Sequence, residues 1–127
     1  MNKYEIQVDG ETFIVDGISY EFAQLDGDEA GRSDDGLMYR DVVGLTNKVY
    51  CDFKDKDKFR GITLSNLLKL VKKKSCSFNY FDPMEYGRVT KMMYVVADKV
   101  TVDLLNDDVV LKEDWQIRFI QMDVDEI

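Results

Sequence analysis

Asp26-Gly-Asp-Glu-Ala-Gly-Arg-Ser-Asp-Asp-Gly-Leu37 holds three glycines, five carboxylates and one arginine in twelve residues. On its left, Ile18, Tyr20 and Phe22 alternate with Ser19, Glu21 and Ala23, and on its right Met38-Tyr-Arg-Asp-Val-Val43 is rich in residues that favour strands. The stretch therefore reads as a long polar excursion from a β-sheet, and a loop of that length in a small domain is uncommon unless it is functional or disordered. Its glycines and its net charge of −4 oppose ordering by the chain alone.

Two chemical readings of the loop fail on spacing. Asp26, Asp28 and Gly31 fit positions one, three and six of a calcium loop, but Ala30 and Leu37 stand at five and twelve, where oxygen ligands are required. Gly27, Gly31 and Gly36 have neither dinucleotide-binding spacing nor a following lysine, and the carboxylates around them repel phosphate.

Further out, Ile6 and Val8, then Asp9-Gly10, then Phe13-Ile-Val15 give a hairpin with an Asp-Gly turn. After Gly44, the strand Lys48–Phe53 turns Val49, Cys51 and Phe53 to one face. A polar connection through Lys54–Gly61 leads to a helix expected over 63–74, with Thr63 as N-cap and Leu64, Leu67, Leu68 and Val71 as its apolar face. Lys72, Lys73 and Lys74 close it at the negative end of its dipole. Strands follow at Cys76–Phe81, at Lys91–Ala97, which is apolar on both faces, and at Trp115–Phe119, with a break at Asn106-Asp-Asp108. About seven short strands and one helix without βαβ alternation predict a mainly β (α+β) fold: an antiparallel β-sandwich with one flanking helix, as one domain over residues 1–127.

Composition narrows the function. The 127 residues include 45% hydrophobic and 33% charged side chains, which suits a globular chain with a core of its own. The chain has no histidine, so the usual general base, metal ligand and nucleophile activator are all missing, and no pair among 25 carboxylates stands out to replace them. Cys51 and Cys76 sit in strands and read as small buried hydrophobes, which suggests a reducing compartment. A net charge of −8 argues against broad nucleic-acid binding. Met-Asn-Lys-Tyr-Glu-Ile6 is charged where a signal peptide is apolar, and no run of eighteen apolar residues occurs. The expectation is a soluble chain made in the cytoplasm, with no cofactor, no stoichiometric metal, no membrane span and no catalysis.

The order of motifs carries a further indication. Leu25-Asp-Gly-Asp-Glu-Ala-Gly-Arg32, then Asp35-Gly-Leu-Met-Tyr-Arg-Asp-Val-Val-Gly44, a leucine-rich helix, Phe78-Asn-Tyr-Phe-Asp-Pro83, Val89-Thr-Lys-Met-Met-Tyr-Val95 and a final Trp115-x-Ile-x-Phe strand follow one another. This succession, over about residues 18 to 122, resembles a family of small tail proteins of siphophages and prophages of Gram-positive bacteria, encoded near the tape-measure gene. Tyr-Val-Val-Ala-Asp98 departs from the commoner Tyr-Val-Gly-Asp of that family, and Met93 stands where an aromatic residue is usual.

The resemblance implies a structural component of a bacteriophage tail, of tail-tube or distal-tail (baseplate) type. It would be assembled in the host bacterial cytoplasm, located in the virion tail, and partnered with itself in a homo-oligomeric ring, expected to be a hexamer, and with neighbouring tail proteins. In that layout the long early loop touches the next subunit, so the expected interface residues are Asp26, Asp28, Glu29, Arg32, Asp34, Asp35, Arg40 and Asp41, with Arg32 pairing a carboxylate across the boundary. Charge agrees: Lys54–Lys74 has eight basic and two acidic residues, and Asp98–Ile127 has three basic and nine acidic, an opposition that suits head-to-tail contact. The competing readings are a monomeric phage-encoded binding module or tail-assembly chaperone and, more distantly, a histidine-free carboxylate enzyme.

Overall fold

The computed structural model describes residues 2–26, 31, 32, 38, 39, 42–54 and 57–122. The strands in chain order are β1 (Glu5–Val8), β2 (Glu11–Ile14), β3 (Gly17–Asp26), β4 (Gly31–Arg32), β5 (Met38–Tyr39) and β6 (Val42–Phe53). The helix α1 (Gly61–Leu68) and a 3₁₀ turn (Lys69–Lys72) follow. Then come β7 (Ser75–Asp82), β8 (Gly87–Ala97), β9 (Val102–Leu105), β10 (Asp108–Leu111) and β11 (Trp115–Gln121). Seven strands form one antiparallel sheet in the order β2-β1-β7-β8-β11-β6-β3, and β9–β10 and β4–β5 are separate pairs.

The main sheet closes into two layers through β8. This strand pairs with β7 along Gly87–Tyr94 and with β11 along Met93–Ala97, so its first half belongs to one layer and its second half to the other. On a flat sheet β3 and β7 would lie four strand spacings apart, about 19 Å. Instead, the Tyr20 hydroxyl on β3 donates to the Phe81 carbonyl on β7 at 2.6 Å, and Asn47 Nδ2 on β6 donates to the Tyr80 hydroxyl at 3.0 Å. The expected sandwich is thus built from one continuous sheet whose middle strand turns the corner.

Ile6, Val8, Val49, Cys51, Phe53, Phe78, Tyr80, Met93, Ile117 and Phe119 fill the space between the layers, and Phe78 stacks on Phe119 with ring centroids 4.0 Å apart. Alternation decides which side chains enter. Val49, Cys51 and Phe53 are buried while Lys48, Tyr50 and Asp52 between them are not. Both cysteines are buried and unbonded. The first hairpin turns at Asp9 and Gly10, whose φ of 51° and 87° are those of a type I′ turn. The strand expected to start after Gly44 starts at Val42 and runs through that glycine, with an irregularity in its pairing to β3 where Leu25 faces Gly44 and Asp26 faces Val42.

The helix differs from its expected form. It begins at Gly61, two residues before Thr63, because the extended Arg60 is bridged to Val110 and Gly61 holds a φ of +60°, so no side-chain cap sets the start. After Leu68 the backbone tightens to 3₁₀, and Leu64, Leu67 and Leu70 are buried at intervals of three. Leu68 is only partly buried and Val71 is half exposed. The helix packs on β10, and Phe53, Phe59 and Trp115 close the core beneath it, with Phe53 and Phe59 edge to face at 5.2 Å.

Candidate assembly surface

The expected interface loop leaves the sheet at Asp26 and returns at Val42, which are paired with each other. Within it Gly31 and Arg32 pair with Tyr39 and Met38 as the short β4–β5 ladder. Among the eight expected interface residues the structure places the backbones of Asp26, in β3, and Arg32, in β4. Asp28, Glu29, Asp34, Asp35, Arg40 and Asp41 lie outside the described residues.

Two exposed apolar surfaces emerge elsewhere. The hairpin β9–β10 turns at Asn106 and Asp107, with φ of 53° and 62°, and all four residues of β9 are exposed. Leu104 is 74% exposed and Leu105 58%. The hairpin is joined to the rest of the fold on its β10 side, where Val110 bridges Arg60, so among the described residues β9 is a free edge with a leucine-bearing tip. The sequence signal was present in Val102-Asp-Leu-Leu-Asn-Asp-Asp-Val-Val-Leu111, where a turn pair divides two apolar runs. The turn pair is therefore both the break expected at Asn106-Asp-Asp108 and the tip of a hairpin.

The second surface is the outer side of β8, whose two apolar faces suggest a strand either central in a sheet or sheathed on its second side by a neighbour. It is central in the sheet, but Met92, Tyr94 and Val96 are exposed, with Met122 beside Met92. Across from Met92 and Tyr94 stand Ser77 and Ser75, too small to cover them. The same layer becomes polar toward β3, where the Tyr50 hydroxyl donates to Glu21 at 2.7 Å and is held above its ordinary pKa by that carboxylate. Apolar surface next to a polar remainder is the usual composition of a contact patch and its rim.

Charged groups on the first layer are tied down. Asp9 accepts from the Ser77 N–H and from Lys73 Nζ, both at 2.8 Å, and the Lys73 bond, followed by that of Ser77, holds its carboxyl below the usual range. Arg88 donates to the Glu5 carbonyl at 2.6 Å and to the Asn79 side chain, bracing β1 against β7. Lys3 lies 4.6 Å from the centre of the Tyr86 ring and donates to its hydroxyl, pulling that phenol's pKa down. Burial pushes the Cys51 thiol up, and the Cys76 thiol to about 12, which leaves both inert near neutrality. Among the described residues no three His, Cys, Asp or Glu side chains gather as a metal site, and no helix is long and apolar enough to cross a membrane.

No protein-family model and no curated protein matches the chain. Among solved structures it is similar to a chain from the tail of an empty gene transfer agent particle, obtained by helical refinement with C6 symmetry. The identity is 14%, the TM-score 0.48, and the alignment covers 96% of this chain and 92% of the other. It is also similar to a chain from the virion of a native gene transfer agent particle, at 14% identity and a TM-score of 0.47 with the same coverage.

Proposed function

We propose that the chain is a structural subunit of a bacteriophage tail, of tube or distal-tail type, which works by packing against copies of itself in a ring and against neighbouring tail proteins. The observation that carries this is the pairing of a filled core with apolar side chains left outside it, on the free β9 edge and on the outer side of β8. A strand edge of that kind invites pairing with another chain unless an assembly covers it. Support also comes from the order of sequence motifs over residues 18 to 122. In this reading the long excursion between Asp26 and Val42 is a further contact, carried by Asp26, Asp28, Glu29, Arg32, Asp34, Asp35, Arg40 and Asp41, and the ring is six-fold. The chain acts as one assembly unit in the virion tail and performs no catalysis.

The test is incorporation. Leu104→Ser with Leu105→Ser alters side chains that contribute little to the core, so the melting temperature stays within about 2 °C while entry into tails is lost. Replacing Gly27–Gly36 by a short Gly-Ser turn gives the same pair of results, and Arg32→Ala gives part of the loss. Normal tails from all three variants would remove these surfaces from the assembly.

A further inference from the structure

At the end of the sandwich from which the excursion leaves, Phe22, Leu45, Asn47, Asp82, Met84 and Gln121 surround a cleft with a cavity of about 30 Å3. That is room for about two waters or for one small polar head group. Its polar wall is deeply buried, with Asn47 and Asp82 each 3% exposed and Gln121 8%. Asn47 spends its Nδ2 on the Tyr80 hydroxyl, and its Oδ1, buried in the wall, has no hydrogen-bond partner among the described residues. Asp82 uses Oδ1 to accept the Met84 N–H at 2.8 Å. A buried amide oxygen without a donor and a carboxylate beside it ask for a ligand that donates hydrogen bonds and carries positive charge. Phe22, Leu45 and Met84 supply an apolar wall suited to an alkyl stem. The lining carries the carboxylates of Asp82 and Glu85 and the ammonium of Lys91, a formal excess of one negative charge.

The opposite end of the molecule holds matching groups. Asp82 is the last residue of β7, whereas Lys74 directly precedes its first residue, Ser75, about 20 Å away along the strand. There Lys69, Lys72 and Lys74 are exposed, and none has an ion-pair partner among the described residues, while Lys73 is bound to Asp9. An acceptor cleft at one end and free ammonium groups at the other fit a head-to-tail arrangement of copies.

The geometry points to this cleft as the socket for a lysine ammonium from the Lys69–Lys74 segment of a second copy of the chain, an inference that rests on the assembly reading above. The test has two arms. In the first, n-butylammonium is titrated into the isolated chain while the side-chain amide signals of Asn47 and Gln121 are followed by NMR, with n-butanol as the neutral control. Saturable shifts are expected with the cation only, weakened about tenfold in Asp82→Asn, which keeps the Oδ1 that accepts from Met84 but loses the charge. Equal responses to the two probes, or an unchanged response in the variant, would overturn the socket.

In the second arm, self-association is followed by sedimentation at millimolar chain concentration. Asp82→Asn, or Lys69→Ala, Lys72→Ala and Lys74→Ala together, weakens it, and combining the two sets weakens it no further than either alone. A wild-type chain that stays monomeric, or sets that act additively, would overturn the second copy as occupant. Particles that lack the chain altogether would instead overturn the assembly reading itself.

Discussion

Asp9 shows how much one side chain can do at a turn. Its left-handed φ suits Asp or Asn, and its carboxylate joins the β1–β2 turn to β7 through Ser77 and to the 3₁₀ turn through Lys73. Because its pKa is lowered on folding, the stability it adds is present above the ordinary carboxylate value of 3.8 and is lost as pH falls below it through the folded value. Lys73, raised chiefly by the same bond, adds stability below its ordinary 10.5 that is lost as pH rises through its folded value. Asp9→Asn keeps the turn and the Ser77 bond, so thermal melts should show a smaller difference between pH 3 and pH 7 than the wild type. An identical difference would mean that the contact adds nothing in solution. The cysteines give a second residue-scale expectation: with both thiols buried and shifted upward, a thiol reagent at pH 8 should label neither Cys51 nor Cys76 until urea unfolds the chain. Their burial was legible from alternation alone, since each sits among strand residues that point inward.

At the scale of elements, legibility followed periodicity. The first hairpin, β3, β7, β11 and the inward face of β6 were all readable, because a two-residue repeat beside a turn signal admits few alternatives. The helix was readable as a helix, and Leu64 and Leu67 of its expected face are buried, but with the change to 3₁₀ after Leu68 it is Leu70 and not Val71 that completes the buried row. The consequence can be measured. Leu67→Ala and Leu70→Ala should each cost about 2–5 kcal/mol in urea unfolding, Leu68→Ala less, and Val71→Ala close to nothing. A cost for Val71→Ala equal to that of Leu70→Ala would restore the regular helix that the spacing alone suggests. In the hairpin β9–β10, Leu111 is buried and Val109 packs on the core, but the leucines of β9 face outward, where the usual link between apolar pattern and burial does not hold. Of the loop expected to form an interface, the structure places the two feet, Asp26 and Val42, paired with each other.

For the whole molecule, the two-layer closure through β8 has the widest consequence. Tyr20 joins the layers directly, and burial raises its phenol to about 12, so Tyr20→Phe removes the donor to the Phe81 carbonyl and should cost about 1–3 kcal/mol without altering the fold. That closed body then presents three differing surfaces: a leucine-tipped free edge, a polar cleft beside the long excursion, and a lysine-bearing end about 20 Å away. The motif order suggested a tail subunit and the charge asymmetry suggested head-to-tail contact, whereas the cleft emerged only when distant segments were brought together. The most direct measurement is quantitative mass spectrometry of purified particles from cells that encode this chain. A structural tail subunit must appear there in a fixed ratio to the major tail protein, at six copies or a multiple of six per particle. Particles with normal tails and none of this chain would contradict the account.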